Sequence, residues 1–293
     1  MPEIMTIAVI GAGTMGRGIA HVAALGGYRT LLQDILPAAL RKAESEIRTN
    51  LDKAVERGKI SATDAAAAFE RVEYASSVEE AAREADLVIE AVPEEMDSKI
   101  EIFTLLDKVC RPATILASNT SSLSVTEIAS VTYRAKQCVG MHFFNPVHKM
   151  KLLELVCALE SDHETVATVS AVGERMGKDV VVIKESPGFI TSRVNAMIGN
   201  EAFYMLQEGI ATARDIDKAL KLGLNHPMGP FELVDLVGLD TRLHILEYLH
   251  KTLGEKYRPA PLLVQYVKAG RLGRKTGRGV YDYPELEPGV PAR

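Results

Sequence analysis

The chain has 293 residues, 47% of them hydrophobic and 25% charged, with a formal net charge of -5. Single cores stop growing at roughly 250 to 300 residues, so two domains are expected. The composition excludes disordered and fibrous classes, and the acidic balance argues against nucleic-acid binding, which rests on a basic face.

From Met1 the chain moves almost directly into a strand pattern. No stretch approaches the roughly 20 apolar residues of a membrane span, so a cytoplasmic protein that does not enter a membrane is expected by default, and an organellar mature form would read the same. Cys110, Cys138 and Cys157 stand apart with no CxxC spacing. Neither a metal site nor a disulfide framework is suggested, and they read as reduced core thiols.

The run Met5-Thr6-Ile7-Ala8-Val9-Ile10 is short, apolar and β-branched, as a strand covered on both faces would be. Glycines follow, then helical character from Thr14 to Leu25, a stop at Gly26-Gly27, and a second strand, Thr30 to Asp34. The segment from Leu36 to Ala75 is rich in Ala, Glu, Lys and Arg and broken at Gly58-Lys59-Ile60-Ser61, which predicts a protruding helical hairpin. Further strand candidates are Asp86 to Val92, Thr114 to Ser118, Cys138 to His142, Leu152 to Val156 and Asp179 to Ile183. Strands alternating with helices imply an α/β, doubly wound sheet. Beyond Ser186-Pro187-Gly188 the pattern is helical until a strand-like Val280-Tyr281-Asp282-Tyr283. The expected organisation is therefore a sheet domain over residues 1–185, with the hairpin inserted at about 36–75, and an all-α domain over residues 186–293.

Gly11-Ala12-Gly13-Thr14-Met15-Gly16 is a GxGxxG string. Alone it is a weak signal, but it follows a strand, opens a helix, and is followed by Asp34 at the end of the next strand, the spacing of a Rossmann-type dinucleotide site. The helix N-terminus favours the pyrophosphate. A carboxylate at position 34 accepts from a free 2'-hydroxyl and repels a 2'-phosphate, so NAD is preferred over NADP. Arg29 is not placed to reverse that choice; Arg41 and Lys42 stay open as neighbours.

Cys138-Val139-Gly140-Met141-His142-Phe143-Phe144-Asn145-Pro146-Val147, followed by Met150-Lys151-Leu152-Leu153-Glu154, resembles the 3-hydroxyacyl-CoA dehydrogenase family, and within it the single-function bacterial 3-hydroxybutyryl-CoA enzymes. The likeness runs nearly end to end. It takes in the glycine string, Ser118-Asn119-Thr120-Ser121-Ser122, Pro187-Gly188-Phe189, Asn225-His226-Pro227-Met228-Gly229-Pro230 and Lys275-Thr276-Gly277-Arg278-Gly279.

The residues also carry a chemical argument. Oxidising a hydroxyl by hydride transfer needs a base for the oxygen-bound proton, and imidazole suits that work. His142 ends a candidate strand at the edge where doubly wound folds place their sites, and Glu154 lies in the next strand candidate, where an adjacent return would set its carboxylate against the ring. A lone His beside two Phe residues is more often a core histidine; the family likeness makes His142 and Glu154 a catalytic pair.

The resemblance implies that Ser121 hydrogen-bonds the substrate oxygen at C3 beside the nicotinamide; its plainer reading is a helix cap, a role that Ser124 fits better. It also implies nucleotide contacts from Glu94, Lys99, Asn145 and Lys275, although Glu94 and Lys99 equally fit a solvated pair. Ser192 stands where the family normally has an asparagine that binds the reacting carbonyl. It offers one shorter donor, with Asn195 three residues on as a possible helper. On the hairpin, Asn50 takes a family contact position, and Arg57, with Lys53 and Lys59, suits the phosphates of coenzyme A; charges there are also compatible with a solvated face.

The function implied is reversible, NAD-dependent oxidation of a short L-3-hydroxyacyl-CoA to the 3-ketoacyl-CoA. Its pathway is open among β-oxidation, butanoate synthesis and aromatic-acid breakdown. Rival readings are a dehydrogenase of a free hydroxy or sugar acid, and a catalytically silent crystallin-like NAD-binding protein. Apolar runs such as Phe231 to Val237 suggest a homodimer.

Overall fold

In the computed structural model, which describes residues 3–284, the opening strand β1 (Thr6–Ile10) is buried at all five positions. It leads through the glycine loop into α1 (Thr14–Leu25) and back to the sheet in β2 (Arg29–Gln33). The rest of this first unit is α2 (Pro37–Glu56), α3 (Ala62–Glu70), β3 (Val72–Ala75), α4 (Val78–Ala82), β4 (Leu87–Glu90), α5 (Met96–Val109), β5 (Ile115–Ser118), α6 (Val125–Ala129), β6 (Cys138–Phe143), β7 (Leu152–Cys157), α7 (His163–Arg175) and β8 (Asp179–Lys184). The eight strands form one sheet in the order β3-β2-β1-β4-β5-β6-β7-β8. Every neighbouring pair is parallel except β6 with β7.

Strand alternation divides the interior in two. Ile7, Val9, Leu32, Leu87, Ile89, Ile115, Ala117, Val139, Met141, Leu153 and Leu155 pack into one core with residues of α1, α2, α3 and α7. Ala8, Ile10, Leu31, Val88, Leu116 and Cys138 pack into the other with residues of α4, α5 and α6. A period of two thus sends alternate side chains of one strand to opposite layers. Cover is thin at β8, where Val181 is 41% and Val182 50% exposed.

Helix starts follow capping chemistry. Ser61, Ser77 and Ser124 each accept a backbone N–H three residues on, as does Asp162. Ser124, not Ser121, is the cap of α6.

Two expectations need correction. The hairpin ends at Glu70, and the stretch assigned to its last residues returns to the sheet as β3, pairing with β2 in register Thr30↔Val72 to Gln33↔Ala75. Four residues at a sheet edge, one of them an exposed Glu73, leave too short an apolar pattern to register as a strand. Near the C-terminus, Val280 to Tyr283 is not a strand: the ladder is limited to single bridges, Gly273↔Arg278 and Arg278↔Asp282.

Chain contacts divide between Ser186 and Pro187. The second unit contains α8 (Thr191–Gln207), α9 (Ala213–Gly223), α10 (Pro230–Val237), α11 (Leu239–Leu253) and α12 (Pro261–Lys268). Its core includes Phe203 edge-on to Phe231 at 5.2 Å, with Leu246, Leu249, Tyr257 and Leu263. Buried Asp235 accepts from Val280 N and Tyr281 N, tying the closing segment to α10.

The β1–α1 turn depends on close backbone approach. Gly11 has φ +99, and a β-carbon at Gly16 would overlap the Gly11 carbonyl. Backbone cannot yield as a flexible side chain does, so Gly16→Ala should destabilise the protein by about 1–3 kcal/mol, read as a lowered midpoint in urea unfolding. An unchanged midpoint would show that the helix can slide away from the turn at little cost.

Candidate active site

The same parity that divides the cores places the site. Glu90 and Ser118 are the last residues of β4 and β5, His142 is next to last in β6, and each alternates with a neighbour committed to the α1/α7 core. All three therefore turn to the opposite face at the carboxyl edge of the parallel strands. β7 runs the other way, so its N-terminal half returns to this edge with Glu154 directly across from His142.

His142 Nδ1 lies 2.7 Å from Glu154 Oε2, with the two residues 6% and 1% exposed. Against a carboxylate the Nδ1–H is the donor, which fixes the tautomer. Phe144 packs on the imidazole at 4.4 Å between ring centroids. Asn119 staples the edge: its N–H donates to the Glu90 carbonyl and its Oδ1 accepts from Phe143 N.

Ser121 is held by Glu94, whose Oε1 accepts from Thr120 Oγ1 at 2.6 Å, Ser121 N at 2.7 Å and Ser121 Oγ at 3.1 Å. Burial would raise the Glu94 carboxyl, but the Lys99 ammonium and the Thr120 and Ser121 bonds outweigh it and hold it below the usual carboxylate range. Lys99 corrects an expectation. Its side chain has no exposed surface and lies 2.8 Å from Glu90 and 3.3 Å from Glu94, so it is neither a solvated partner nor at the surface to meet a nucleotide. The α5 backbone carries it inward, and its charge reaches the site through Glu94. Glu90, unassigned from sequence, completes the cluster: fully buried, it also accepts from Ser118 Oγ at 2.6 Å and Val92 N at 2.7 Å. A glutamate inside the apolar run Leu87 to Val92 was the available signal, because a buried carboxylate demands a partner.

The nucleotide loop lies at the same edge, between the ends of β1 and β2. Gly13 sits at φ -61 and ψ -171, and a β-carbon there would meet no protein atom within 4 Å. Neither conformation nor packing asks for glycine, so the open space suits a ligand pressed against the backbone. α1 has no side-chain cap and no acidic residue in its first turn, as a pyrophosphate-binding N-terminus requires. Asp34 accepts from Ala12 N at 2.8 Å and Leu36 N at 2.9 Å, keeping lone pairs for ribose hydroxyls. Arg29 is engaged with Glu73 and Glu84. These residues fit a bound NAD: Gly11 to Gly16 for the pyrophosphate, Asp34 for the ribose.

Other candidates lie as follows. Asn145 is exposed just beyond β6, and Asn50 and Arg57 lie on α2 and at its C-terminal cap, with Arg57 exposed. In the second unit Ser192 lies in the first turn of α8 with Asn195 three residues on, and Lys275 Nζ donates to Asp240 Oδ2 at 2.6 Å. Cys110 and Cys138 are buried, which pushes both thiols up to about 11; Cys157 is only partly buried, at the end of β7. Among the described residues no cluster of His, Cys, Asp or Glu is placed to hold a metal ion.

Two substitutions separate these roles. Gly13→Ala should leave the melting temperature unchanged yet weaken NADH binding at least tenfold, roughly 1.4 kcal/mol, by fluorescence titration; unaltered affinity would remove Gly13 from the cofactor site. Lys99→Met strips buried Glu90 of its counter-charge and should cost about 3–5 kcal/mol of stability, part of which Glu90→Gln should restore. A Lys99→Met protein as stable as its parent in denaturant would contradict the buried pair.

Over residues 6–186 the chain matches the family described as 3-hydroxyacyl-CoA dehydrogenase, NAD binding domain, and over residues 188–283 its C-terminal domain. It is 49% identical to a probable 3-hydroxybutyryl-CoA dehydrogenase of Bacillus subtilis, over 97% of this chain and 99% of that protein. It is 44% identical to the 3-hydroxybutyryl-CoA dehydrogenase of Bradyrhizobium diazoefficiens, over 99% of each. Among solved structures, (S)-3-hydroxybutyryl-CoA dehydrogenase from Ralstonia eutropha superimposes with a TM-score of 0.93 at 43% identity, covering 96% of this chain and 99% of that one. The chain belongs to the 3-hydroxyacyl-CoA dehydrogenase family.

Proposed function

We propose that this NAD-dependent 3-hydroxyacyl-CoA dehydrogenase acts on short L-3-hydroxyacyl thioesters such as 3-hydroxybutyryl-CoA, with His142 as general base. The observation that carries the assignment of the base is the buried 2.7 Å contact between His142 and Glu154 at the carboxyl edge. NAD, when bound, supplies the acceptor for the hydride leaving C3. His142 Nε2 takes the hydroxyl proton as the ketone forms, and Glu154 offsets the charge that develops on the ring. Ser121, fixed by Glu94, orients the substrate oxygen. In the reverse direction the imidazolium is the acid.

Coenzyme A is assigned to Asn50 and Arg57 on the hairpin, and the reacting carbonyl to Ser192. Nucleotide contacts are assigned to Asn145 and Lys275 in addition to the glycine loop. Arg57 is exposed and makes no ion pair among the described residues, which leaves its charge for a ligand. The reading includes a cytoplasmic location and a homodimer. Among the described residues no helix is long and apolar enough to cross a membrane. In the second unit Val194, Met197, Leu222, Leu224 and Leu236 are all more than 40% exposed, the kind of surface a second copy covers.

The test is NADH oxidation with acetoacetyl-CoA beside free acetoacetate and beside NADPH. Rapid turnover is expected only with the thioester and NADH. His142→Ala and Glu154→Gln should each lower kcat by about 10²- to 10⁴-fold while NADH still binds. Equal turnover of the free acid would sink the thioester reading; undiminished kcat in His142→Ala would sink the base.

A further inference from the structure

A cavity of about 520 Å³ lies away from the glycine loop. It is walled by the C-terminal end of α1, the hairpin turn at Ile60, the first turn of α3 at Asp64, the loop between β6 and β7, and the junction of α7 with β8. α1 has 12 residues, which places its two ends about 18 Å apart. The cavity is thus distinct from the nucleotide loop at the other end of that helix. Six basic side chains line it: Arg71, His148, Lys149, Lys151, Arg175 and Lys178. Asp64 is the one carboxylate in the lining, and it already accepts from the Ser61 hydroxyl at 2.6 Å.

What these side chains touch is neutral. Arg71 donates to the Ala24 carbonyl, Arg175 to that of Gly26 at 2.8 Å, and Lys178 to those of Val147 and Met150. Arg175 also lies 4.7 Å above the Tyr28 ring, and His148 stacks on His21 at 5.6 Å. None of the six forms an ion pair among the described residues.

The crowding registers on the groups themselves. Burial, then Lys151, pushes Lys178 down to about 8; burial, then Lys149, Lys178 and Lys59, lowers His148. Buried His21 is held down at about 4 by burial first, then His148 and Lys178.

In a chain of net charge -5, five cations, Arg71, Lys149, Lys151, Arg175 and Lys178, gathered beside a single carboxylate repel one another, and an entering anion relieves that repulsion. Planar guanidinium forks beside mobile ammonium groups suit phosphate oxygens, and the volume is that of a small-molecule site. We propose that this cavity binds a phosphate-bearing anion, with Arg71, Arg175 and Lys178 as its fixed wall and Lys149 and Lys151 as mobile charges. The hairpin turn that borders it continues into Lys59 and Arg57, which favours the phosphates of coenzyme A as the source; that choice of source rests on the function proposed above.

The experiment is calorimetric titration of inorganic pyrophosphate into the full chain at fixed ionic strength, with saturating NADH to cover the glycine loop. The parent should bind saturably. The double substitution Lys149→Gln with Lys151→Gln removes two exposed charges and should weaken binding at least tenfold with no change in melting temperature. No saturable binding, or equal binding in the variant, overturns the site. Where binding is lost, KM distinguishes the source. A rise for acetoacetyl-CoA but not for its 3'-dephospho analogue, with kcat retained, assigns the cavity to the substrate; an unchanged KM keeps the site but assigns it to a free phosphate compound. Failure of the proposed function would show separately, as absence of turnover in the parent.

Discussion

The active edge depends on one reversal of chain direction. Parallel strands present their carboxyl ends together, so a parallel sheet can place loops side by side at that edge but not oppose two mid-strand side chains from consecutive strands joined by a short loop. Between β6 and β7 the chain turns back after eight residues, Phe144 to Lys151, and the antiparallel register sets Glu154 opposite His142. Cross-strand neighbours of this kind have β-carbons about 4.5–5.5 Å apart, within reach of an imidazole and a glutamate. The carboxylate is then held in place by the ladder on both sides, since β7 also pairs with β8. Positioning by backbone hydrogen bonds costs less conformational freedom than positioning by a loop.

Buried charge performs a second positioning task. Glu90 and Lys99 are both fully enclosed, an arrangement whose desolvation is tolerable only when every lone pair and proton finds a partner. Val92 N, Ser118 Oγ and Lys99 Nζ satisfy Glu90, and Lys99 shares its charge with Glu94. Glu94 in turn gathers Thr120 and Ser121, so the Ser121 hydroxyl, proposed to meet substrate, is fixed by a chain of contacts anchored in the sheet. A serine in an unsupported loop would spend much of its time elsewhere.

Most of this edge was legible in the sequence because its parts are local. A glycine string after a buried strand, an acidic residue closing the next strand, and a histidine at a strand end all declare themselves within a few positions. What escaped was non-local or faint. β3 is four residues whose strand character comes from pairing with β2, not from its own pattern. Lys99 is the fourth residue of a helix, where a lysine normally reaches water; the carboxylates of Glu90, on a preceding strand, and Glu94 draw it inward. Asn119 read as one letter of a family motif, whereas its role, bridging the ends of β4 and β6, requires knowing which strands are neighbours.

The glycine loop shows why a motif compresses different physical demands into identical letters. Gly16 is required by the protein itself, because α1 packs so closely on the turn that the Gly11 carbonyl occupies the place of a side chain. Gly13 is required by nothing in the protein, since its backbone is extended and the space beside it is open. The first is a constraint on folding and acts whether or not a nucleotide is present; the second is one that only a bound nucleotide would impose. Selection for stability alone would therefore keep Gly16 and let Gly13 go. A chain that retains both, with an uncapped helix N-terminus behind them, carries in its backbone the outline of the anion that the loop is built to meet.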